Sequence, residues 1–227
     1  MNAKNIPVLT VDGPSGVGKG TLASLLSNYL GWHLLDSGAI YRAIALKALK
    51  TETDPIDVET LVKLAGELDL SFQSIPGEPA SVFLDGKNVS NELRTETCGA
   101  MASQIAPIAE VRAALLQRQK DFRQAPGLVA DGRDMGTVVF HDAPIKFFLT
   151  ASAEERAKRR YKQLKNKGVD ANIRALENEI AARDERDSNR KVSPLVPAED
   201  AIIIDTSDMS INEVFQYCLK IIKKTSE

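Results

Sequence analysis

Cysteine and histidine are scarce in this chain of 227 residues. It has only two cysteines, Cys98 and Cys218, and only two histidines, His33 and His141. The cysteines lie far apart in the sequence and match no zinc-binding spacing, so we expect two reduced thiols in an intracellular protein. We assign no role to either histidine.

The chain also lacks an excess of charge and a long apolar run. Its net charge is −2 and its pI about 5.8, so no basic surface for a nucleic-acid polymer is expected. No apolar run approaches the ~20 residues of a membrane-spanning helix, and residues 1–7 lack the apolar run of a signal peptide. With 43% hydrophobic residues, a chain of this length predicts one globular domain over 1–227, soluble and cytoplasmic.

Five short apolar runs alternate with helical patterns. The runs cover residues 8–11, 33–35, 128–130, 145–149 and 201–204. Helical spacing follows the first run, from Leu22 to Leu30, and a second helix is predicted over residues 40–50. Nearly continuous apolar strands between helices predict an α/β fold with a parallel sheet covered on both faces.

This alternation of apolar runs and helical patterns is interrupted between about residues 64 and 103. The extended run 81–84 leads into Asp85-Gly86 and then 87–89, a pattern typical of a tight hairpin. Pro76-Gly77 and Pro79 predict another turn just before it. We interpret 64–103 as a small antiparallel insert, the alternative being an ordinary surface excursion.

A glycine-rich segment follows the first apolar run and fits the pattern G-x-x-x-x-G-K. Glycines let backbone N–H groups turn inward around phosphate oxygens, and the N-terminus of the next helix adds a partial positive charge. Lys19 adds a full charge. The order of strand, loop and helix therefore predicts a phosphate-binding loop for ATP, the alternative being a glycine-rich turn with no ligand. The predicted loop residues are Gly13, Pro14, Ser15, Gly16, Val17, Gly18, Lys19, Gly20 and Thr21.

Position 20 departs from the usual form of this motif. Gly20 replaces the hydroxyl residue that normally follows the lysine, so Thr21 is not predicted to bind magnesium directly. The Rossmann spacing G-x-G-x-x-G fails, because Thr21 stands where it requires a glycine counted from Gly16. A GTPase is disfavoured because its two motifs, D-x-x-G and N-K-x-D, are missing. No aspartate has a glycine three residues later, and residues 166–170 miss the second motif by one residue.

Polar side chains follow the second apolar run, where parallel strands end and ligands bind. Asp36 and Ser37 come directly after it, and capping of the next helix is their structural alternative. Tyr41 and Arg42 lie one turn inside that helix. Arg42 is a candidate for bidentate phosphate binding, the alternative being a solvated surface arginine.

Two acids and an arginine follow the third run. Asp131 is predicted to order the water shell of Mg²⁺, without binding the metal directly. Arg133 is a candidate phosphate contact, and Asp134 is suited to accept a hydrogen bond from an exocyclic amine such as N4 of cytosine. The alternative is a simple turn with a local salt bridge.

Arginines recur in residues 152–190, which we interpret as a lid. Arg156, Arg159 and Arg160 share one helix face by i, i+3, i+4 spacing. Converging arginines stabilise a phosphoryl group in transfer, and one of them contributes about 10³–10⁵ in rate. A mobile lid also excludes water, which competes as acceptor. A solvated, salt-bridged helix is the alternative.

Farther on, Arg183, Asp187 and Arg190 are predicted to line one helix face through steps of four and three. No strong general base is needed if the attacking oxygen belongs to an ionised phosphate. The predicted mechanism is in-line transfer, with charge stabilised by cations. The predicted catalytic residues are Lys19, Arg133, Arg156, Arg160 and Arg183.

These motifs together resemble the bacterial cytidylate kinase family. The resemblance rests on residues 10–21, 35–42, 131–137 and 183–190 and extends over nearly the whole chain. It implies a P-loop kinase fold with a five-stranded parallel sheet flanked by helices. It also implies that the insert binds the nucleoside monophosphate and that the lid is short and helical.

The resemblance further implies the substrates and the residues that bind them. Members of this family transfer a phosphoryl group from magnesium-ATP to CMP or dCMP, in pyrimidine nucleotide metabolism, and are usually monomers. Spacing alone would leave Arg112 a surface arginine and would not single out Ser103. The implied contacts are Ser103, Arg112 and Asp134 to cytosine, Arg42, Arg133 and Arg190 to the acceptor phosphate with Tyr41 nearby, and Arg183 and Asp187 to ribose. Ser37 is a further predicted substrate-binding residue.

Two other functions remain open. A kinase for another small acceptor, such as UMP or shikimate, belongs to the same class. A P-loop switch or ATPase that drives binding belongs to a different class. The missing GTPase motifs and the abundant arginines argue against the second.

Overall fold

The structure is a computed structural model that describes residues 6–73, 80–166 and 168–225. Its strands are β1 (Val8–Asp12), β2 (His33–Asp36), β3 (Leu70–Gln73), β4 (Ser81–Leu84), β5 (Lys87–Asn88), β6 (Leu128–Gly132), β7 (Ile145–Thr150) and β8 (Ile202–Asp205). Its α-helices are α1 (Lys19–Leu30), α2 (Ser37–Lys50), α3 (Val58–Gly66), α4 (Ser90–Leu93), α5 (Glu96–Ile105), α6 (Ala109–Asp121), α7 (Ala153–Asn166), α8 (Ile173–Ser188) and α9 (Ile211–Thr225). A π-helix spans Met135–Val139.

A five-stranded sheet has the strand order β2-β6-β1-β7-β8, and a three-stranded sheet has the order β3-β4-β5. The pairs β2–β6, β1–β7 and β7–β8 are parallel. Every residue of β1 and β6 is buried, as expected for strands of a parallel sheet covered on both faces. All five apolar runs form strands of this sheet, so the predicted α/β fold is confirmed.

The chain divides into two compact units. The first comprises residues 1–8 and 23–132, and the second comprises residues 9–22 and 133–227. Within the first unit, α2 packs against α5, and α3 packs against α6. Its β2 and β6 pair in a register that sets Asp36 beside Asp131 at the carboxyl ends of both strands.

The predicted hairpin is present in the first unit. Asp85 and Gly86 connect β4 to β5, and both have positive φ, as a two-residue hairpin turn of the primed type requires. The strand β5 ends at Asn88, one residue earlier than the predicted run. The turn predicted at Pro76-Gly77 and Pro79 lies outside the described residues.

Within the second unit, β7 pairs with β1 on one side and with β8 on the other. The helices α7 and α8, which cover most of the predicted lid, pack against each other. The helix α8 ends at Ser188, so the prediction that Arg190 continues its face is wrong. In the described residues, no helix has the length and apolar character needed to cross a membrane.

Candidate active site

The glycine-rich loop connects β1 to α1 in the second unit, and Lys19 is the first residue of the helix. Gly13 is required by close approach of the neighbouring strand, because a Cβ there would lie 2.2 Å from the carbonyl oxygen of Leu149. Gly18, the second glycine of the motif, has a φ of +96°, which favours glycine. The loop conformation therefore depends on glycine where the motif places it.

The ammonium group of Lys19 folds back over this loop. Its Nζ donates a hydrogen bond to the carbonyl oxygen of Pro14 at 2.7 Å, and the residue is only 6% exposed. Its positive charge also acts on Asp12, whose pKa it lowers in part. A full positive charge thus lies against the loop, where phosphate oxygens of a nucleotide would need it.

Arg156 of α7 contacts the loop with both its stem and its guanidinium. The Cβ of Arg156 lies 3.3 Å from the position that a Cβ would take on Gly16. Its Nη1 donates to the carbonyl oxygen of Ser15 at 3.1 Å. Both terminal nitrogens donate to the carboxylate of Asp184 on α8, at 2.9 and 2.5 Å. Arg156 therefore connects α7 and α8 to the loop.

Two further arginines of the predicted lid contact the loop. Nη1 of Arg183 lies 3.5 Å from Oγ of Ser15. Arg159 donates to the carbonyl oxygen of Val17 at 3.4 Å and also to the backbone oxygen of Thr206. Arg160, the other predicted catalytic residue of α7, is half-buried on this helix. Positive charge from α7 and α8 is thus concentrated around a loop of phosphate-binding sequence.

A second cationic cluster surrounds the buried carboxylate of Asp187. Arg133 donates from Nε to Asp187 at 2.9 Å, and Arg190 donates to the other carboxylate oxygen. Burial alone would raise the pKa of Asp187, but the charges of Arg133, Arg190 and Arg183 outweigh it and hold the pKa below its ordinary value. Because several arginines meet one carboxylate, the cluster keeps a net positive charge suited to an anion.

The segment that follows β6 forms the π-helix, which the sequence did not predict. The carboxylate of Asp12, at the end of β1, accepts hydrogen bonds from the backbone N–H groups of Met135 at 2.9 Å and Gly136 at 2.7 Å. Asp134 directly precedes this helix and is 3% exposed. A π-helix is rare and often marks a functional position.

The predicted residues of the first unit meet around α5 and α2. Arg42 donates to the carbonyl oxygen of Leu93 at 2.6 Å, and its guanidinium lies about 3 Å from the position of a Cβ on Gly99. Ser103 donates to the carbonyl oxygen of the same Gly99 at 2.9 Å. Two residues that the family resemblance singled out, Arg42 and Ser103, therefore contact the same turn of α5.

The burial of Arg112 departs most clearly from what sequence spacing indicates. It is 9% exposed, so it is not the surface arginine that spacing alone indicates. Its Cζ lies 5.6 Å from the ring centroid of Tyr41, and its Nη1 donates to the carbonyl oxygen of Ala106 at 3.1 Å. The guanidinium is held between a ring face and a backbone oxygen, which fixes its direction.

Three of the predicted polar residues, Asp36, Ser37 and Asp131, lie where β2 and β6 end. The carboxylate of Asp36 accepts a hydrogen bond from the backbone N–H of Ala39 at 2.9 Å, so the capping interpretation of Asp36 is confirmed. Ser37 is buried as the first residue of α2. Asp131 is also buried, in register with Asp36. Over the described ranges, no cluster of three histidine, cysteine or carboxylate side chains forms a metal site.

A cavity of about 480 Å³ lies in the first unit beside β2, β3 and the end of α6. Trp32, Phe72 and Phe122 supply its aromatic walls, and Arg118 lines it as well. Leu70, Ser71 and Phe72 of the predicted insert line it, but among the described residues that line it there is none of the individual side chains predicted to contact nucleotide. It therefore adds nothing to the candidate site.

Sequence reasoning missed the partners that hold the arginines and the π-helix in place. Asp184 lies one residue beyond the predicted Arg183, and Thr206 follows β8, where acidic and polar residues often end strands. Asp12 was part of the motif but was assigned no role. Only its position at a strand end, directly before the loop, could have suggested one.

The strand order, the glycine loop and the surrounding arginines define a P-loop protein of the kinase type. A family profile described as cytidylate kinase matches residues 9–224. This chain therefore belongs to the cytidylate kinase family.

The sequences of individual relatives match this chain over nearly its full length. The chain is 59% identical over 218 residues to a cytidylate kinase of Nitrosococcus oceani, covering 96% of both chains. It is 54% identical to one of Shewanella putrefaciens, covering 98% of this chain and 97% of the relative. It is 60% identical to one of Aeromonas hydrophila, covering 92% and 90%.

Proposed function

We propose that this protein transfers the γ-phosphoryl group of ATP to CMP and dCMP, giving ADP with CDP or dCDP, in pyrimidine nucleotide metabolism. The observation that carries the proposal is the full-length match to proteins named cytidylate kinase, at 54–60% identity. The cations around the glycine loop supply chemistry of the required kind. As the sequence predicts, the protein would act as a cytoplasmic monomer on small nucleotides.

The donor side is assigned to the second unit. Backbone N–H groups of residues 13–21 and the ammonium of Lys19 bind the β- and γ-phosphates of ATP. Arg156, Arg160 and Arg183 stabilise the charge that develops on the transferred group. The contacts of Arg156 and Arg183 with Ser15 support this assignment, because they bring two guanidinium groups to the loop.

Magnesium, when bound, neutralises charge on the β- and γ-phosphates of ATP. The residues fit a metal held mainly by phosphate and water. Asp36 and Asp131 offer hard oxygen atoms side by side at two strand ends, but Asp36 already caps α2. We therefore assign Asp131 to the water shell of magnesium, without direct ligation.

The acceptor side is assigned residue by residue within each unit. In the first unit, Ser103 and Arg112 bind cytosine, while Arg42 binds the acceptor phosphate with Ser37 and Tyr41 nearby. In the second unit, Asp134 accepts from N4 of cytosine, Arg133 and Arg190 bind phosphate, and Arg183 and Asp187 bind ribose. The net positive cluster around Asp187 supports the phosphate assignment.

Parts of the chain are also assigned to moving elements of one P-loop kinase domain over residues 1–227. We propose that residues 64–103 form the insert that binds the nucleoside monophosphate and that residues 152–190 form the lid. The antiparallel sheet of the first unit and the contact of α7 with α8 support these assignments.

An acceptor screen tests the proposed function. ADP formation from ATP would be measured with CMP, dCMP, UMP, AMP and shikimate as separate acceptors. We expect CMP and dCMP to give the highest kcat/KM, because Asp134 accepts a hydrogen bond from an amine that uracil lacks. Preference for UMP, AMP or shikimate would reject the base assignment, and ADP formation unaffected by any acceptor would favour an ATPase.

A further inference from the structure

Asp12 is a buried carboxylate whose hydrogen-bond partners are backbone groups of the π-helix. It is 4% exposed, ends β1 and stands directly before Gly13 of the phosphate loop. Its two oxygens accept from the N–H groups of Met135 and Gly136, which are the first two residues of that helix. The carboxylate therefore caps the helix from a distant part of the chain.

The residue that would normally supply such a cap is Asp134. The first N–H groups of any helix lack partners within it, and the side chain of the preceding residue commonly accepts from them. Within the described residues, the side chain of Asp134 makes no capping hydrogen bond. The start of the π-helix is therefore capped by Asp12 and not by Asp134.

Packing around Gly136 leaves the start of the π-helix little room to shift. A Cβ at this position would lie 3.0 Å from Oγ1 of Thr10 and 3.3 Å from Oδ2 of Asp12. It would also lie 3.2 Å from Cδ of Lys146 on β7. The backbone next to Asp134 therefore packs closely against β1, the strand that leads into the phosphate loop.

Keeping a charge at position 12 has a cost. Burial raises the pKa of Asp12 to about 6, and the nearby charge of Asp134 adds to the rise, whereas the two backbone hydrogen bonds and Lys19 oppose it. An apolar residue would end a buried strand without this penalty. It would, however, leave the N–H groups of Met135 and Gly136 without the acceptor that now holds them.

We propose that Asp12 is a positioning residue for acceptor recognition, which holds Asp134 in place through the start of the π-helix and so sets the preference for a base with an exocyclic amine. The proposal rests on the proposed function, in which Asp134 contacts N4 of cytosine. It assigns Asp12 no contact with substrate. Asp12 acts through Asp134, and this route is what distinguishes the proposal from a general structural role.

The test is a double-mutant cycle of Asp12→Asn and Asp134→Asn, with KM measured for CMP, UMP and ATP. An amide at position 12 loses one charge-assisted acceptor, so we expect KM for CMP to rise about tenfold. KM for ATP should stay within about twofold, and the preference for CMP over UMP should fall. If Asp12 acts through Asp134, the double variant should lose no more than Asp134→Asn alone. Calorimetric titration with CMP, without ATP, should show the same pattern.

A matched control is Asp57→Asn, because Asp57 also caps a helix through its carboxylate, at the exposed start of α3. Its KM values should match those of the unaltered protein. Additive losses in the double variant, or equal rises in KM for CMP and ATP, would overturn the inference but leave the proposed function standing. An unchanged KM for CMP in Asp134→Asn would overturn both the inference and the assignment of Asp134 to N4 of cytosine.

A second variant covers the case in which Asp12→Asn does not fold. Gly136→Ala keeps the carboxylate and adds a methyl group against Thr10, which should shift the start of the π-helix. We expect the same selective loss for CMP, with KM for ATP little changed. An unaltered preference for CMP over UMP in this folded variant would overturn the inference.

Discussion

Several buried charges of the second unit are held by specific partners. Asp187 is paired with Arg133 and Arg190, and Arg156 is paired with Asp184. Asp12 is held by two backbone N–H groups. Because a buried charge without a partner is costly, these contacts restrict each side chain to one direction. Single contacts thus fix the direction of side chains that the proposed function assigns to nucleotide binding.

Asp12 is expected to make the folded protein less stable near neutral pH than in mild acid. Its pKa is about 6 in the folded protein against an ordinary value of 3.8. Its contribution to stability is therefore complete at pH values below 3.8 and is lost as the pH rises through about 6. The loss is about 3 kcal/mol at roughly 1.4 kcal/mol per pKa unit.

Urea unfolding of the unaltered protein and of Asp12→Asn at about pH 4.5 and about pH 7.5 measures this contribution. The difference in unfolding free energy between the two proteins should shift in favour of the variant as pH rises. Asp57→Asn should show almost no dependence on pH over this range. Hydrogen bonds from Thr60 lower the pKa of Asp57 from its ordinary value of 3.8, so its contribution is lost only in more acidic solution. A difference independent of pH for Asp12→Asn would contradict the assignment.

At the level of helices and strands, sequence reasoning succeeded where local patterns decide the structure. Continuous apolar runs predicted every strand of the parallel sheet, and Asp85-Gly86 predicted the hairpin. Sequence reasoning failed where contacts between residues far apart in the chain determine the structure. The π-helix depends on Asp12, far away along the chain, and the burial of Arg112 depends on Tyr41 of another helix. Neither contact leaves a local signature in the sequence.

The same limit applies to the end of α8. Steps of four and three placed Arg190 on the face of Asp187, although the helix ends at Ser188. Arg190 nevertheless contacts Asp187 from beyond the helix end. Residue types at this position were thus predictable, whereas the backbone that presents them was not.

The pairing of α7 with α8 is expected to depend on Asp184. Its carboxylate holds Arg156, whose side chain is only 5% exposed, while Asp184 is 24% exposed. Replacing one partner of a buried pair leaves the other charge unsatisfied, so Asp184→Asn should lower the unfolding free energy by about 2–3 kcal/mol. KM for ATP should rise as well, because Arg156 also holds the carbonyl oxygen of Ser15.

A control on the same helix is Glu154→Gln, which removes an exposed ion pair with Lys158. Exposed pairs contribute little, so its urea midpoint should not change measurably. A midpoint for Asp184→Asn equal to that of Glu154→Gln would show that the buried pair does not hold the two helices together.

Across the whole molecule, charge is nearly balanced but unevenly placed. The chain carries a net charge of −2, yet Lys19, Arg156, Arg159 and Arg183 all contact the glycine loop of the second unit. An anionic ligand is therefore attracted to a local cluster and not to the surface as a whole. This arrangement suits small nucleotides better than a nucleic-acid polymer.

The most direct measurement follows the γ-phosphate of labelled ATP in the presence of CMP. We expect one labelled CDP for each ADP formed, because the proposed function assigns Lys19 and the arginines of residues 152–190 to transfer onto an ionised phosphate acceptor. Lys19→Ala should slow this transfer by about 10²-fold or more, as removal of a preorganised electrostatic donor does. Label released as inorganic phosphate at a rate that CMP does not change, or near-normal transfer by Lys19→Ala, would contradict the account.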